Sequence, residues 1–161
     1  MTRHSTDPGL TEHERDVLQR LEATGWFVNK IAEDSEGPGF AYSFGLYERY
    51  QHPEIIIFGL PPDIMHRLIN DIGKRVSGGM RYGDGDQSHD LLEDYSCVFR
   101  RVNPLRYRET LTWTMWFYES SDFPALQLFW PDKAHRFPWD PGCSEIFRKS
   151  QPDMSRSSTS A

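Results

Sequence analysis

The sequence predicts a single layered α+β domain: a mixed or mostly antiparallel sheet of about five or six strands packed by two helices. Three observations carry that expectation. Ile64, Leu68, Ile72 and Val76 repeat every four residues, joined by Met65 and Ile69, which is the period of an amphipathic helix. Ile55-Ile56-Ile57-Phe58 is a continuous apolar run of strand length, as expected where both faces of a strand are covered. Aromatic stretches that read as further strands occur at residues 40–46 and 125–130.

Thr11 and Glu14 have the spacing of a capping box, and Val17, Leu18 and Leu21 follow as an apolar stripe. Gly25 ends this first helix, because glycine tolerates positive φ. Residues 26–33 alternate as a strand, and 34–39 carry the acidic, Ser, Gly and Pro residues of a turn. Residues 40–46 form a second strand, 47–53 a polar loop and 54–59 a third strand. Pro61-Pro62-Asp63 opens the second helix, with proline in its first turn and an acid at its positive end. Gly78-Gly79 closes it.

Residues 82–89 read as a Gly/Asp loop and 95–102 as the next strand. Residues 113–118 and 125–130 read as two strands joined by the hairpin loop Glu119-Ser120-Ser121-Asp122. Beyond Pro131 the chain is rich in Pro, Gly and aromatic residues. The domain is thus expected at 10–150, between a mobile polar arm at 1–9 and a disordered Ser-rich tail at 151–161. No internal repeat is present.

Composition limits the function. A chain of 161 residues fits one domain. The formal net charge of −6 argues against general nucleic-acid binding, which needs a basic footprint. Arg100, Arg101, Arg106 and Arg108 read as a solvated strand edge. No run approaches the roughly 18 apolar residues of a membrane span, and the polar start lacks the apolar core of a signal peptide. A cytoplasmic location is therefore expected. Cys97 and Cys143 form no CxxC and no zinc spacing, and Cys97 sits in an apolar run.

Several residues could carry chemistry. His52 and Glu54 are two apart, so an extended chain points both to one side, where they could share a metal or a proton. His66, His89, His135 and Asp132 could complete such a set, since zinc takes three or four ligands. Two ligands do not make a site, so neither a metal nor a cofactor is expected. Ser43 is in no GxSxG elbow; its hydroxyl, like that of Tyr42, is expected to hydrogen-bond a ligand or a neighbour. Gln127 stands in an apolar strand, either bonded across the sheet or lining a pocket with Trp130 and Asp132. Trp130-Pro131-Asp132 and Phe137-Pro138-Trp139 either cap the core or form a recognition surface. Asp84 and Asp86 lack the terminal Glu of a calcium loop, and Gly37-Pro38-Gly39 precedes a strand and so is not a phosphate loop.

Gly25-Trp26, the segment 40–46, His52-Pro53-Glu54, Gly59-Leu60-Pro61, Trp130-Pro131-Asp132 and Phe137-Pro138-Trp139 together resemble the domain-of-unknown-function family 4262. The likeness spans nearly all of the chain between its polar ends. It implies a small bacterial-type protein and no particular reaction. Ser43 stands where the family pattern has Thr, and Ala134-His135-Arg136 replaces a Gly-containing turn.

The first functional expectation is a non-enzymatic binding or regulatory module acting through an aromatic and acidic surface. The alternative is a small enzyme, or a ligand- or metal-binding protein, with a pocket near Tyr42, Ser43, His52, Glu54, Gln127 and Asp132. A third reading has the aromatic surface forming a homodimer. The expected partner is accordingly a protein or a second copy, with no membrane.

Overall fold

Local sequence signals set the first elements of the computed structural model, which describes residues 2–157. The capping box is present: Glu14 N–H donates to the Thr11 hydroxyl, and Thr11 N–H donates to the Glu14 carboxylate. It opens α1, Glu12–Thr24. Gly25, at φ 109°, ends it and turns the chain into β1, Phe27–Ile31. β2 spans Phe40–Phe44, β3 Glu54–Phe58, and α3 Pro62–Ser77, with α2, Leu46–Tyr50, inserted between β2 and β3. Then come β4, Gln87–Leu92, and β5, Tyr95–Arg101. A single 3₁₀ turn at Pro104–Arg106 leads into α4, Tyr107–Thr110, and α5, Thr112–Tyr118. β6 is Ala125–Phe129 and α6 is Glu145–Ser150.

The expected α+β class is observed, and the sheet is mixed with six strands, in the order β1-β2-β3-β6-β5-β4. Among the described residues β3 and β6 pair in parallel, and the other neighbouring strands pair antiparallel. Alternate residues of β3 therefore feed opposite layers. Ile55 and Ile57 pack with Met65, Leu68, Ile69 and Ile72 of α3. Ile56 and Phe58 pack with Leu18 and Leu21 of α1 and Phe117 of α5. Burial on both faces explains the unbroken apolar run of β3.

Four assignments are corrected. Residues 113–118 are helical, because Thr114, Phe117 and Tyr118 bury along one helical face at spacings of three and four. The aromatic content of that segment imitates a strand. Residues 47–50 of the expected polar loop are helical and, with the buried Leu46, form α2. The Gly/Asp loop at 82–89 gives way at Gln87 to the edge strand β4. β5 is consequently an inner strand, so Arg100 is not on a sheet edge.

Both terminal segments make contacts. Arg3 donates from its backbone to Phe117 O and from Nε to Trp116 O, with its guanidinium 4.7 Å from the Trp116 ring. In the segment read as a Ser-rich tail, Gln151 and Met154 are buried. Residues 158–161 lie outside the described residues.

Candidate functional site

Glu54 begins β3 with no exposed surface, and an ionised side chain in such a place needs partners. It has five donors. Ser43 O–H gives 2.8 Å to Oε1 and Leu46 N–H 3.3 Å; Gly45 N–H and Tyr47 N–H give 3.0 and 3.1 Å to Oε2. The Tyr118 hydroxyl donates to Oε2 as well. Three of these are the free amides at the start of α2, where a carboxylate is favoured. Gly45, at φ 111°, bends the backbone so that those amides converge. Burial pushes the Glu54 carboxyl above its ordinary value, and the donors from Tyr118, Ser43, Tyr47 and Gly45 pull it back. Burial also raises the Tyr118 hydroxyl, and the Glu54 charge adds to that. Every neighbour donates, so the site fits an acceptor-only, ionised carboxylate.

Ser43 is committed elsewhere too: its Oγ accepts Ile55 N–H at 3.0 Å, and its carbonyl accepts the Thr114 hydroxyl. Tyr42 O–H, fully buried, accepts Asn29 Nδ2 at 3.0 Å and Trp113 N–H at 3.1 Å. Tyr42, Ser43 and Glu54 therefore tie β2 and β3 to α2 and α5, with no open space at their polar atoms.

His52 does not join Glu54. Its Nε2 accepts Tyr82 N–H at 3.0 Å, so the ring proton sits on Nδ1 and donates to Pro53 O at 2.8 Å. The ring is neutral and fully buried. Burial lowers its pKa below the ordinary 6.5; the Pro53 bond opposes this, and the charge of Arg81 adds to it. The folded value is depressed, so this stability is complete above 6.5 and is lost as pH falls through the folded value. Urea unfolding across that range should show stability falling with acid, and His52→Leu should flatten the slope. An unchanged slope would assign it to another group, such as the less buried His66, whose pKa is also lowered.

Gln127 is also fully buried, on β6. Its Nε2 donates to Pro152 O at 2.7 Å and its Oε1 accepts Met154 N–H at 2.9 Å. Gln151 answers with its own amide, which accepts from Trp130 N–H and donates to Trp130 O. The two amides thus fasten residues 151–154 to β6 and Trp130. Gln127→Leu strands two backbone groups and should cost about 1–3 kcal/mol, with early proteolysis after α6. A variant as protease-resistant as the parent would refute the clamp.

The aromatic motif forms a cap. Trp130 Nε1 donates to Phe58 O at 2.7 Å, and its ring meets Phe147 of α6. Asp132 closes an Asx turn: Oδ1 accepts Ala134 and Arg136 N–H, and Oδ2 pairs with Arg136 at 3.1 Å. These bonds lower the Asp132 pKa. Trp139 stacks on Phe137, meets Phe129 edge-on and carries the Arg100 guanidinium 3.5 Å from its ring centre. Arg100 in turn pairs with Asp153 at 3.1 Å. Beside this stack lies an open groove of about 370 Å³, lined by Pro138, Trp139, Arg148, Gln151, Asp153 and Arg156.

The structure therefore brings Ser43 and Glu54 together, places the Tyr42 hydroxyl apart from them with Asn29 and Trp113, pairs Gln127 with Trp130 through the 151–154 segment, and leaves His52, Asp132 and Trp139 in separate settings. Among the described residues, no three His, Cys, Asp or Glu side chains group as a metal site. Sequence reasoning missed Tyr118, Gly45, Gln151 and the role of Arg100. The Gly45-Leu46 step into a helix was the local signal for Gly45; the others depend on long-range contacts.

These features define a small α+β protein whose mixed sheet is locked by a buried carboxylate and closed by an aromatic cap. The chain matches the family described as Domain of unknown function (DUF4262) over residues 20–144 and belongs to it. No curated protein and no solved structure matches it significantly. None of the described helices is long and apolar enough to cross a membrane.

Proposed function

We propose that the chain is a non-enzymatic binding module whose recognition face is the groove at Trp139. One contrast carries the reading. Ser43, His52, Glu54 and Gln127, the side chains suited to catalysis, are fully buried with their polar atoms bonded inside the fold, whereas Trp139 borders open space. A flat ring with arginines on its rim suits a protein segment, since Trp and Arg dominate binding hot spots. The surface acids Asp132 and Asp153 are engaged by Arg136 and Arg100, so they orient the face and add little free charge to it.

A displayed peptide library selected on the whole chain tests this. Selected peptides should lose at least about 2 kcal/mol of binding, the hot-spot scale, on Trp139→Ala, and Arg148→Ala and Arg156→Ala should weaken them with the fold intact. Peptides indifferent to all three variants would overturn the proposal. Unfolding of Trp139→Ala alone would assign that ring to the cap and leave the arginine variants to decide.

A further inference from the structure

β1 is one of the two edges of the sheet, and the edges differ. β4, the other edge, is interrupted by a register shift between Ser88 and Leu92 and carries Asp90. A break in register of this kind discourages strand addition. β1 has an unbroken register with β2 over five residues, from Phe27↔Phe44 to Ile31↔Phe40. Its outward backbone groups receive no hydrogen bond from any described residue outside that pairing. An edge strand so arranged presents a row of amides and carbonyls.

That edge is also a groove. α1 packs on one face of the sheet and α3 on the other. Both overhang β1 and enclose about 440 Å³ along it. The rim carries Arg20 from α1, Lys30 from β1, and His66 and Lys74 from α3, with Trp26 and Asn70 in the floor. No carboxylate lines it, although the chain as a whole carries a net charge of −6. Asp16 and Asp63 reach Arg20 and Lys30 from outside, at 3.1 and 3.6 Å. Both are exposed ion pairs, the kind that exchange readily for another anion. Lys74 makes no ion pair with a described residue.

We propose that β1 takes up an extended, acidic segment of a partner protein as an added strand, with Arg20, Lys30 and Lys74 selecting its charge. Backbone pairing supplies affinity in this mode, and flanking side chains supply specificity. A second copy is disfavoured as the occupant, because it would bring a second set of Arg20, Lys30 and Lys74 charges to an edge that already carries the first. The proposal goes beyond the Trp139 groove and does not depend on it.

A short peptide alternating Glu with Val, titrated into the nitrogen-labelled full chain, tests it. Amide shifts should centre on residues 27–31, outward β1 amides should exchange more slowly, and the matching Lys–Val peptide should not bind. Arg20→Glu combined with Lys74→Glu alters exposed helix positions and should weaken the acidic peptide roughly tenfold, the scale of surface charge effects. Shifts centred on Trp139, no shifts at all, equal binding by the charge-reversed variant, or the same shifts from inorganic phosphate alone would each overturn the proposal. Since residues 27–31 and the Trp139 groove give separate resonances, failure at one leaves the other reading distinguishable.

Discussion

Replacing Glu54 by alanine should destabilise the protein by about 3–5 kcal/mol, above the roughly 1–3 kcal/mol of a single stranded polar group, because five donors lose their acceptor together. The loss is large because the carboxylate is the common acceptor for Ser43, Gly45, Leu46, Tyr47 and Tyr118, and no water-facing route replaces it. Glu54→Gln keeps the shape but turns an amide donor toward a ring of donors, so it should fall between the parent and the alanine variant. Equilibrium urea unfolding measures both. An alanine variant within about 1 kcal/mol of the parent would place the burial of Glu54 in doubt.

Gly45→Ala should cost about 2–4 kcal/mol, from left-handed strain plus overpacking. Gly45 has φ 111°, a conformation that L side chains rarely adopt. A Cβ there would stand 2.9 Å from Gly25 O and 3.0 Å from Trp26 Cα, both backbone atoms that cannot swing away. The strain falls on the residue that donates to Glu54 Oε2, so the double variant with Glu54→Ala should cost less than the sum of the two. Additive losses would show that Gly45 and Glu54 act separately.

The elements most legible in the sequence are those whose signals are local. The four-residue repeat from Ile64 to Val76 is α3, and the Thr11–Glu14 box starts α1 as read. The sheet was legible in its class but not in its order, because the parallel pairing of β3 with β6 joins residues far apart in the chain. Residues 113–118 misled for a definite reason: Thr, Trp and Phe favour strands in isolation, and only packing against β2 selects the helix. That error hid Tyr118, which lies 64 residues from Glu54. Spacing brought His52 and Glu54 to notice together, but each is bound to a different neighbour. Ser43, Glu54 and Gln127 were legible as unusual polar residues. Their work as bonds within the fold was not, because their partners are mainly backbone amides and carbonyls, which carry no sequence signature.

Solvent access to Glu54 is the most direct test of the central claim, that the side chains suited to catalysis are sealed parts of the scaffold. Native protein treated with a water-soluble carbodiimide and an amine, then mapped by mass spectrometry, reports which carboxyls reagents reach. Glu93, exposed beside β4, should label readily, and Glu54 should label only after urea unfolding. Native labelling of Glu54 at a rate near that of Glu93 would contradict the account and return the Ser43–Glu54 region to the list of possible active sites.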